Sequence, residues 1–269
     1  FAISDIAEKR HQSWERLGRE GLGQAEGSTE KLHVRLADWT ITMNDEGAIL
    51  LKASSGDAAI DLTLTAAKPF ILHGQNGVHQ KSDEPGQASH YISFTRLSTD
   101  GTIRWQGEDF AVRGQSWMDH EFGSDQLSED QVGWDWFALQ LENGEDLMVY
   151  ELRQKGGTPA PQSSGSLVDP EGNRTEITSE EYNIEELATW KSPHSGAVYP
   201  MKWRITIPGY DGELIVTPAF EDQEMLTEQT AGTTYWEGAV RIDGTWRGKA
   251  ISGKGYVELV GYAEEFGLL

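Results

Sequence analysis

The densest run of reactive side chains is Gly114-Gln115-Ser116-Trp117-Met118-Asp119-His120-Glu121-Phe122-Gly123. Asp119, His120 and Glu121 place proton donors, acceptors and an imidazole that titrates near neutrality within three residues. On a strand, neighbouring side chains point to opposite faces, so Asp119 and Glu121 share one face and His120 takes the other. The three cannot grip one metal ion, and neither a metal site nor a cofactor is expected. His120 has two readings. It is an acid or base pointing into a pocket beside Trp117 and Phe122, or a buried histidine bonded to backbone.

A second run is Gly133-Trp134-Asp135-Trp136-Phe137. Trp134 and Trp136 share a strand face and Asp135 takes the other, where its carboxylate would hold an indole N–H, a substrate hydroxyl or a neighbouring turn. A third pair is Tyr235-Trp236-Glu237-Gly238 and Gly253-Lys254-Gly255-Tyr256-Val257-Glu258. No helical pattern follows Gly253 and Gly255, so they are no phosphate cradle, which needs a helix N-terminus. They fit a place where two backbones approach closely. Gly-x-Ser-x-Gly, His-Glu-x-x-His and calcium-loop spacings are absent. His73 and His79 flank a glycine-bearing loop and are expected to be exposed.

The elements that must position these residues are strands. Leu32, Val34 and Leu36 alternate with polar residues, as do Trp39, Ile41 and Met43, and then Ile60, Leu62 and Leu64. Further strands are expected over 90–97, 102–105 and 110–112. Asp45-Glu46-Gly47, Asp100-Gly101 and Gly107-Glu108-Asp109 read as punctuation between them. Residues 134–141 and 146–152 flank Asn143-Gly144, the strongest short hairpin signal. Trp203, Ile205 and Ile207 turn at 209–212 and return through Leu214 and Val216, and 236–242 and 256–262 close the chain around an Asp243-Gly244 turn. Residues 180–190 suit helix or strand. One helix is expected, over 5–17, where Asp5 and Glu8 have capping-box spacing and Ile6, Trp14 and Leu17 lie near one face. Short turns without alternating long helices exclude a βαβ sheet and favour sandwiches or barrels. The polar stretch 123–133 suggests a division into 1–128 and 129–269.

The chain has 269 residues, of which 44 are Asp or Glu and 22 Lys or Arg, a net charge of −22. That charge repels phosphate backbones and anionic headgroups, so nucleic acid is not an expected partner. With 0 cysteines, disulfides, thiolate metal sites and cysteine nucleophiles are excluded. No apolar run is long enough for a transmembrane helix. Ten Trp, eight Tyr and eight Phe suit barrel interiors and apolar pockets.

SWMDHEFGS (116–124), VGWDWFALQLENGEDLMVYELR (132–153), YWEGAV (235–240) and GKGYVELVGYA (253–263) resemble the AttH-like proteins related to carotenoid hydratase. LTLTAAKPFILHGQNG (62–77) and SPHSGAVYPMKWRITIP (192–208) fit the same pattern. The resemblance implies two consecutive lipocalin-like (calycin) antiparallel β-barrels. Such proteins carry an upstream Trp-Trp-Tyr segment opening the first barrel, and the expectation here is a first barrel without its opening strands. Carotenoid hydratases protonate a terminal isoprenoid double bond and add water to the resulting cation. The resemblance matches Asp119-His120 to the family's Asp-His pair and carries His120 over as acid/base, supported by Asp119, with Tyr150 as a further catalytic residue and Asp135 or Glu151 as the acid. Phe122 departs from the Trp expected two positions after the His. The expected pocket is lined by Trp117, Phe122, Trp134, Asp135, Trp136, Trp236 and Tyr256.

The reading is therefore a bacterial lipocalin-like protein binding a hydrophobic isoprenoid or lipid. Its rivals are a hydratase, isomerase or cyclase acting on a polyene, and a non-enzymatic carrier, attachment or stress protein. A periplasmic or secreted location is expected by analogy, with the cytoplasm left open.

Overall fold

The computed structural model describes residues 1–84, 86–123, 127–128, 130–227, 230 and 232–265. The expected division at 128/129 falls beside residues 124–126 and 129, which lie outside the described set. Among the described residues there is no α-helix, and so no helix long and apolar enough to cross a membrane.

The chain opens with a hairpin, β1 (Ala2–Asp5) and β2 (Arg10–Ser13). This replaces the helix expected over 5–17. Asp5 Oδ1 does accept the N–H groups of Ala7 and Glu8, both at 3.1 Å, but it caps a turn in which Lys9 takes φ 52°. A helix would have put Ile6 and Leu17 on a buried face, whereas both are exposed. The hairpin instead stacks Phe1 on Trp14, with ring centroids 4.6 Å apart. Tertiary aromatic contacts outweigh local helix propensity here.

The first sheet contains β3 (Ala25–Gly27), β4 (His33–Leu36), β5 (Trp39–Met43), β6 (Ile49–Ser55), β7 (Ala58–Ala66), β8 (Ile71–Leu72), β9 (Val78–Gln80), β10 (Ala88–Trp105) and β11 (Glu108–Phe122). Its order is β11-β10-β7-β6-β5-β4-β3, with β8 and β9 also paired to β10. The second contains β12 (Gln131–Leu141), β13 (Asp146–Gln154), β14 (Ser164–Val168), β15 (Arg174–Thr178), β16 (Asn183–Lys191), β17 (Val198–Ile207), β18 (Gly212–Pro218), β19 (Glu224–Thr227), β20 (Thr233–Trp246) and β21 (Lys249–Val260). Its order is β15-β14-β13-β12-β21-β20-β18-β17-β16, with β19 on β20, and every pairing between strands is antiparallel.

Chain connectivity shows that the second sheet curls into a barrel. β15 and β16 sit at opposite ends of the order, yet only residues 179–182 join them. Laid flat, nine strands would separate those edges by roughly 38 Å at ~4.8 Å per strand. A connection that short spans roughly 18 Å at most. The inward faces fill the interior with Phe137, Leu139, Tyr199, Trp203, Ile205 and Trp236, among others, all inaccessible to solvent. The first sheet has no such short link between its edges β3 and β11. Its apolar cluster has Ile49, Leu64 and Leu97 buried and a half-buried fringe that includes Ile41 and Met43.

Two Asp-Gly pairs expected as punctuation lie inside long strands. Gly101 is within β10 and Gly244 within β20, where an added Cβ would stand 2.2 Å from Asp61 O and 2.1 Å from Glu213 O. These glycines admit a neighbouring backbone. The chain reverses a few residues later, at Gln106-Gly107 (φ 54° and 81°) and Arg247-Gly248 (φ 52° and 70°), the paired positive φ values of a tight hairpin. The Asn143-Gly144 hairpin stands as expected between β12 and β13, and residues 183–191 form strand β16.

A buried ion cluster joins the two sheets. A bulge between Phe94 and Leu97 re-aims β10, so that Thr95 and Arg96 both reach Asp146 of β13. Lys68 Nζ lies 2.7 Å from Asp146 Oδ2 and donates to Gly144 O at 2.6 Å. Asp146 is fully buried, so these partners offset a desolvation cost of several kcal/mol.

Candidate active site

Between the sheets lies a cleft of about 1050 Å³, walled by β11 on one side and by β12, β20 and β21 on the other. Strand alternation decides what it contains. On β12, Phe137, Leu139 and Leu141 point into the barrel, so Trp134, Trp136 and Ala138 point outward toward the first sheet. β21 pairs Glu258 with Trp136 and Tyr256 with Ala138, carrying those side chains to the same outer face. On β11 the face turned to the cleft bears Trp117 and Asp119, and the Trp117 and Trp136 rings meet edge to face at 6.1 Å.

Of the four carboxyls that line this cleft, Asp119, Glu237 and Glu258 gather at one end, and Glu142 stands at the β12–β13 turn. Glu237 and Glu258 are direct cross-strand neighbours on β20 and β21, an arrangement that like charges disfavour. Surrounding protein pushes the Glu258 carboxyl up to about 8, with Glu237 adding to the effect, and the indole N–H of Trp134, 3.0 Å from Glu258 Oε1, pulls the other way. Burial also raises Glu237, against a hydrogen bond from Tyr235. The pair thus retains a proton at neutral pH. Asp119 opens onto the cleft, yet the protein packed around its carboxyl raises it to about 6, despite donors from Ser93, Trp117 (2.7 Å) and Tyr91 (3.1 Å).

Behind Asp119 runs a chain of buried hydrogen bonds whose direction follows from proton counting. Once Asp119 is ionised it can only accept, so Ser93 gives it its one proton. Ser93 Oγ then accepts from His73 Nε2 at 2.8 Å. His73 Nδ1 accepts from Ser166 at 3.0 Å, which accepts from Arg174 Nη1 at 3.1 Å. Burial, aided by Arg174 and Lys81, pushes His73 down to about 3, so the ring stays neutral. His73 stacks on Tyr91 at 4.1 Å. Every donor in this line points toward Asp119.

The chain matches the AttH-like family over residues 1–262. It belongs to that family. The crystal structure of an AttH from Nitrosomonas europaea is 33% identical, with a TM-score of 0.87 over 97% of this chain and 79% of that one. Kievitone hydratase of Fusarium solani subsp. phaseoli is 22% identical over 247 residues, 89% of this chain and 68% of that protein. The crystal structure of kievitone hydratase from Nectria haematococca shares the fold, with a TM-score of 0.79 at 17% identity over 98% of this chain and 79% of that one. Dehydratase asqC of Emericella nidulans is 23% identical over 217 residues, 78% of this chain and 60% of that protein.

Within this AttH-like chain the cleft gathers Trp117, Asp119, Trp136 and Tyr256, with Trp134 behind Glu258. Tyr150 is buried beside it. Its one proton goes to Gln162 O at 2.7 Å and it accepts from His79 Nε2 at 3.0 Å, so it supports the site from behind. His120 and Phe122 are not in the cleft. They occupy the opposite, exposed face of β11, where Phe122 meets His90 at 5.2 Å and His120 at 5.0 Å, as strand alternation from Asp119 requires. Asp135 and Trp236 are also elsewhere, inside the barrel formed by the second sheet. Asp135 accepts from Arg153 Nε at 2.9 Å and Tyr262 at 2.8 Å, while Trp236 donates to Glu221 O at 2.6 Å. Glu151 pairs with Asp135 on β13, away from the cleft, and is raised to about 7 by burial and by Asp135 and Glu186.

His73 and His79 are buried, not exposed, because β8 and β9 fold their loop against β13 and β14. Sequence reasoning missed Glu237, Glu258, Tyr91 and Ser93 as site residues. For Glu258 a signal existed, since it stands two residues from Tyr256 on the same strand face. Its opposition to Glu237 needed the register.

Proposed function

We propose that this AttH-like protein is a hydratase or dehydratase, adding water to, or removing it from, a carbon–carbon double bond of an apolar isoprenoid-type molecule held in the cleft. The observation that carries the reading is the facing pair Glu237 and Glu258, which keeps a proton at the cleft wall beside Trp134, Trp136 and Tyr256. In the hydration direction Glu258 gives its proton to one alkene carbon, leaving a cation on the other. Nearby indole and phenol faces stabilise such a cation by ~0.5–2 kcal/mol each. Water adds to the cation and Asp119 takes the proton it releases. The net change is H and OH across the double bond. Glu258 regains a proton from solvent and Asp119 loses one to it, which resets the site. The relatives named kievitone hydratase and dehydratase asqC carry the names of the two directions of this one reaction class.

The test is incubation with isoprenoid alkenes and their tertiary alcohols in heavy-oxygen water, read by mass spectrometry alongside organic extraction of the native protein. Label appearing in the alcohol, and lost in Glu258→Gln, is the expected result. A stoichiometric extracted lipid with no label entering any alcohol would replace the enzyme reading with a carrier.

A further inference from the structure

The cleft differs in chemistry from one end to the other. Glu258 and Lys254 stand on the same face of β21, four residues apart, and both line it. At about 3.3 Å per residue this separates them by roughly 13 Å. The carboxyls Asp119, Glu237 and Glu258 gather at one end, and Tyr256, Ala138 and Trp117 follow along the middle. At the far end the charge reverses.

Two cations make that end. Arg96 is nearly buried, and its guanidinium is fixed from behind. Nε lies 3.0 Å and Nη2 2.5 Å from Asp146 Oδ1, and Nη2 also donates to Leu141 O at 3.1 Å and Glu145 O at 3.3 Å. Nη1 meets only Gln115 Oε1, at 3.5 Å, among the described residues. Its two N–H groups therefore have donor capacity to spare at the cleft wall. Lys254 forms no ion pair among the described residues and stands opposite Arg241 on β20. Arg241 itself has only the exposed Asp243, at 3.9 Å. Like charges set opposite each other cost a sheet stability. In a chain of net charge −22 such a pair is not a by-product of composition. Glu142, exposed at the β12–β13 turn, is the one acidic lining residue there.

We infer that the Arg96–Lys254 end of the cleft binds an anionic oxygen group, so that the preferred substrate is an elongated amphiphile with that group roughly 13 Å from the reacting double bond. Lys254 supplies charge and Arg96 Nη1 supplies oriented donors, while the isoprenoid part lies along Trp117 and Tyr256 toward Glu258. The inference rests on the reading of the cleft as the substrate site, though not on turnover there.

Binding alone tests it. Farnesoic acid and farnesol share a chain and differ in the ionised head, and Trp117 and Trp136 at the cleft make tryptophan fluorescence a direct readout. At pH 8 the wild-type protein is expected to bind the acid at least about tenfold more tightly than the alcohol, equivalent to about 1.4 kcal/mol. Lys254→Met, an exposed position away from either core, is expected to bring that ratio close to one with the alcohol's affinity unchanged, and Lys254→Glu to reverse it. Equal binding of acid and alcohol by the wild type, a ratio unmoved in Lys254→Met, or no binding of either probe would each overturn the inference. A preference for the acid without any hydration would leave it standing and count only against the proposed reaction.

Discussion

The two sheets are woven from similar alternating strands but end in opposite conditions. The second closes into a barrel whose interior is filled, with Trp203, Trp236 and Phe137 completely buried. The first stays open among the described residues, with a small apolar cluster on one face and a polar buried layer of His73, His79, Ser93 and Thr95 against the barrel. Among the described residues, these side chains occupy the barrel's interior. The site therefore uses the barrel's outer wall, and the first sheet supplies the opposite wall with the base and its supporting hydrogen bonds. Rigidity comes from one sheet and polar chemistry from both.

The sharpest way to break this division of labour is Glu258→Gln. It is expected to lower the hydration rate by about 10²–10⁴-fold with the barrel intact by circular dichroism. In the wild type, Asp119 must be ionised and Glu258 protonated, so the rate should fall below about pH 6 and above about pH 8. A rate that stays flat both below about pH 6 and above about pH 8 would remove both roles.

A paired comparison decides which face of β11 works. Asp119→Asn is expected to cost at least about tenfold more in kcat than His120→Ala, since a general base contributes about 10²–10⁴-fold. The reverse order would place the chemistry on the open face with Phe122 and His90.

Stability should separate the sheets as well. Trp203→Ala, in the filled barrel, is expected to cost about 3–5 kcal/mol in urea unfolding. Ile41→Ala, half-buried at the fringe of the first sheet, should cost less than half as much. Hydrogen exchange should likewise find β12 and β17 better protected than β4 and β5. Equal costs would mean that the first sheet is as tightly packed as the second.

A smaller effect concerns the line behind Asp119. Ser93→Ala removes a donor to the ionised carboxylate, and such bonds are worth about 1.5–3 kcal/mol, so the acid limb of the rate profile should move up by at least about one pH unit. An unmoved limb would make the chain from His73 mere packing.

A final expected effect is on folding. Glu258 binds its proton more tightly in the folded protein than in the unfolded chain, whose carboxyl titrates at the ordinary 4.5. Its contribution is therefore fully present below that value and is lost as pH rises toward about 8. Relative to Glu258→Gln, whose amide does not titrate, the wild-type Tm should decline over that window and level off above it. A Tm difference that does not change with pH would show that Glu258 titrates normally.

Period-two alternation made most of the strands legible, and it paired Trp134 with Trp136 on one face. It did not reveal that this face is the outer one, because β12 is apolar on both sides, with Phe137 and Leu139 opposite the indoles. Asp-Gly signals misplaced two turns, since a glycine that admits a neighbouring carbonyl reads in sequence like one that bends the chain. The helix expected over 5–17 failed for a similar reason. Asp5 forms the same capping hydrogen bonds in a hairpin turn, and what decides between the two is the packing of Phe1 and Trp14 around Trp39 and Trp105.

By itself, then, the sequence determined the class of the fold, the membership of the family and the opposition of Asp119 to His120, because alternation and family motifs are local properties of the chain. Only the tertiary structure decided which of the two enters the cleft, that His73 and Ser93 stand behind Asp119, and that Glu237 faces Glu258. Those relations depend on register and on how two sheets meet, across separations of 20 residues or more in the chain, and no local pattern encodes such a meeting.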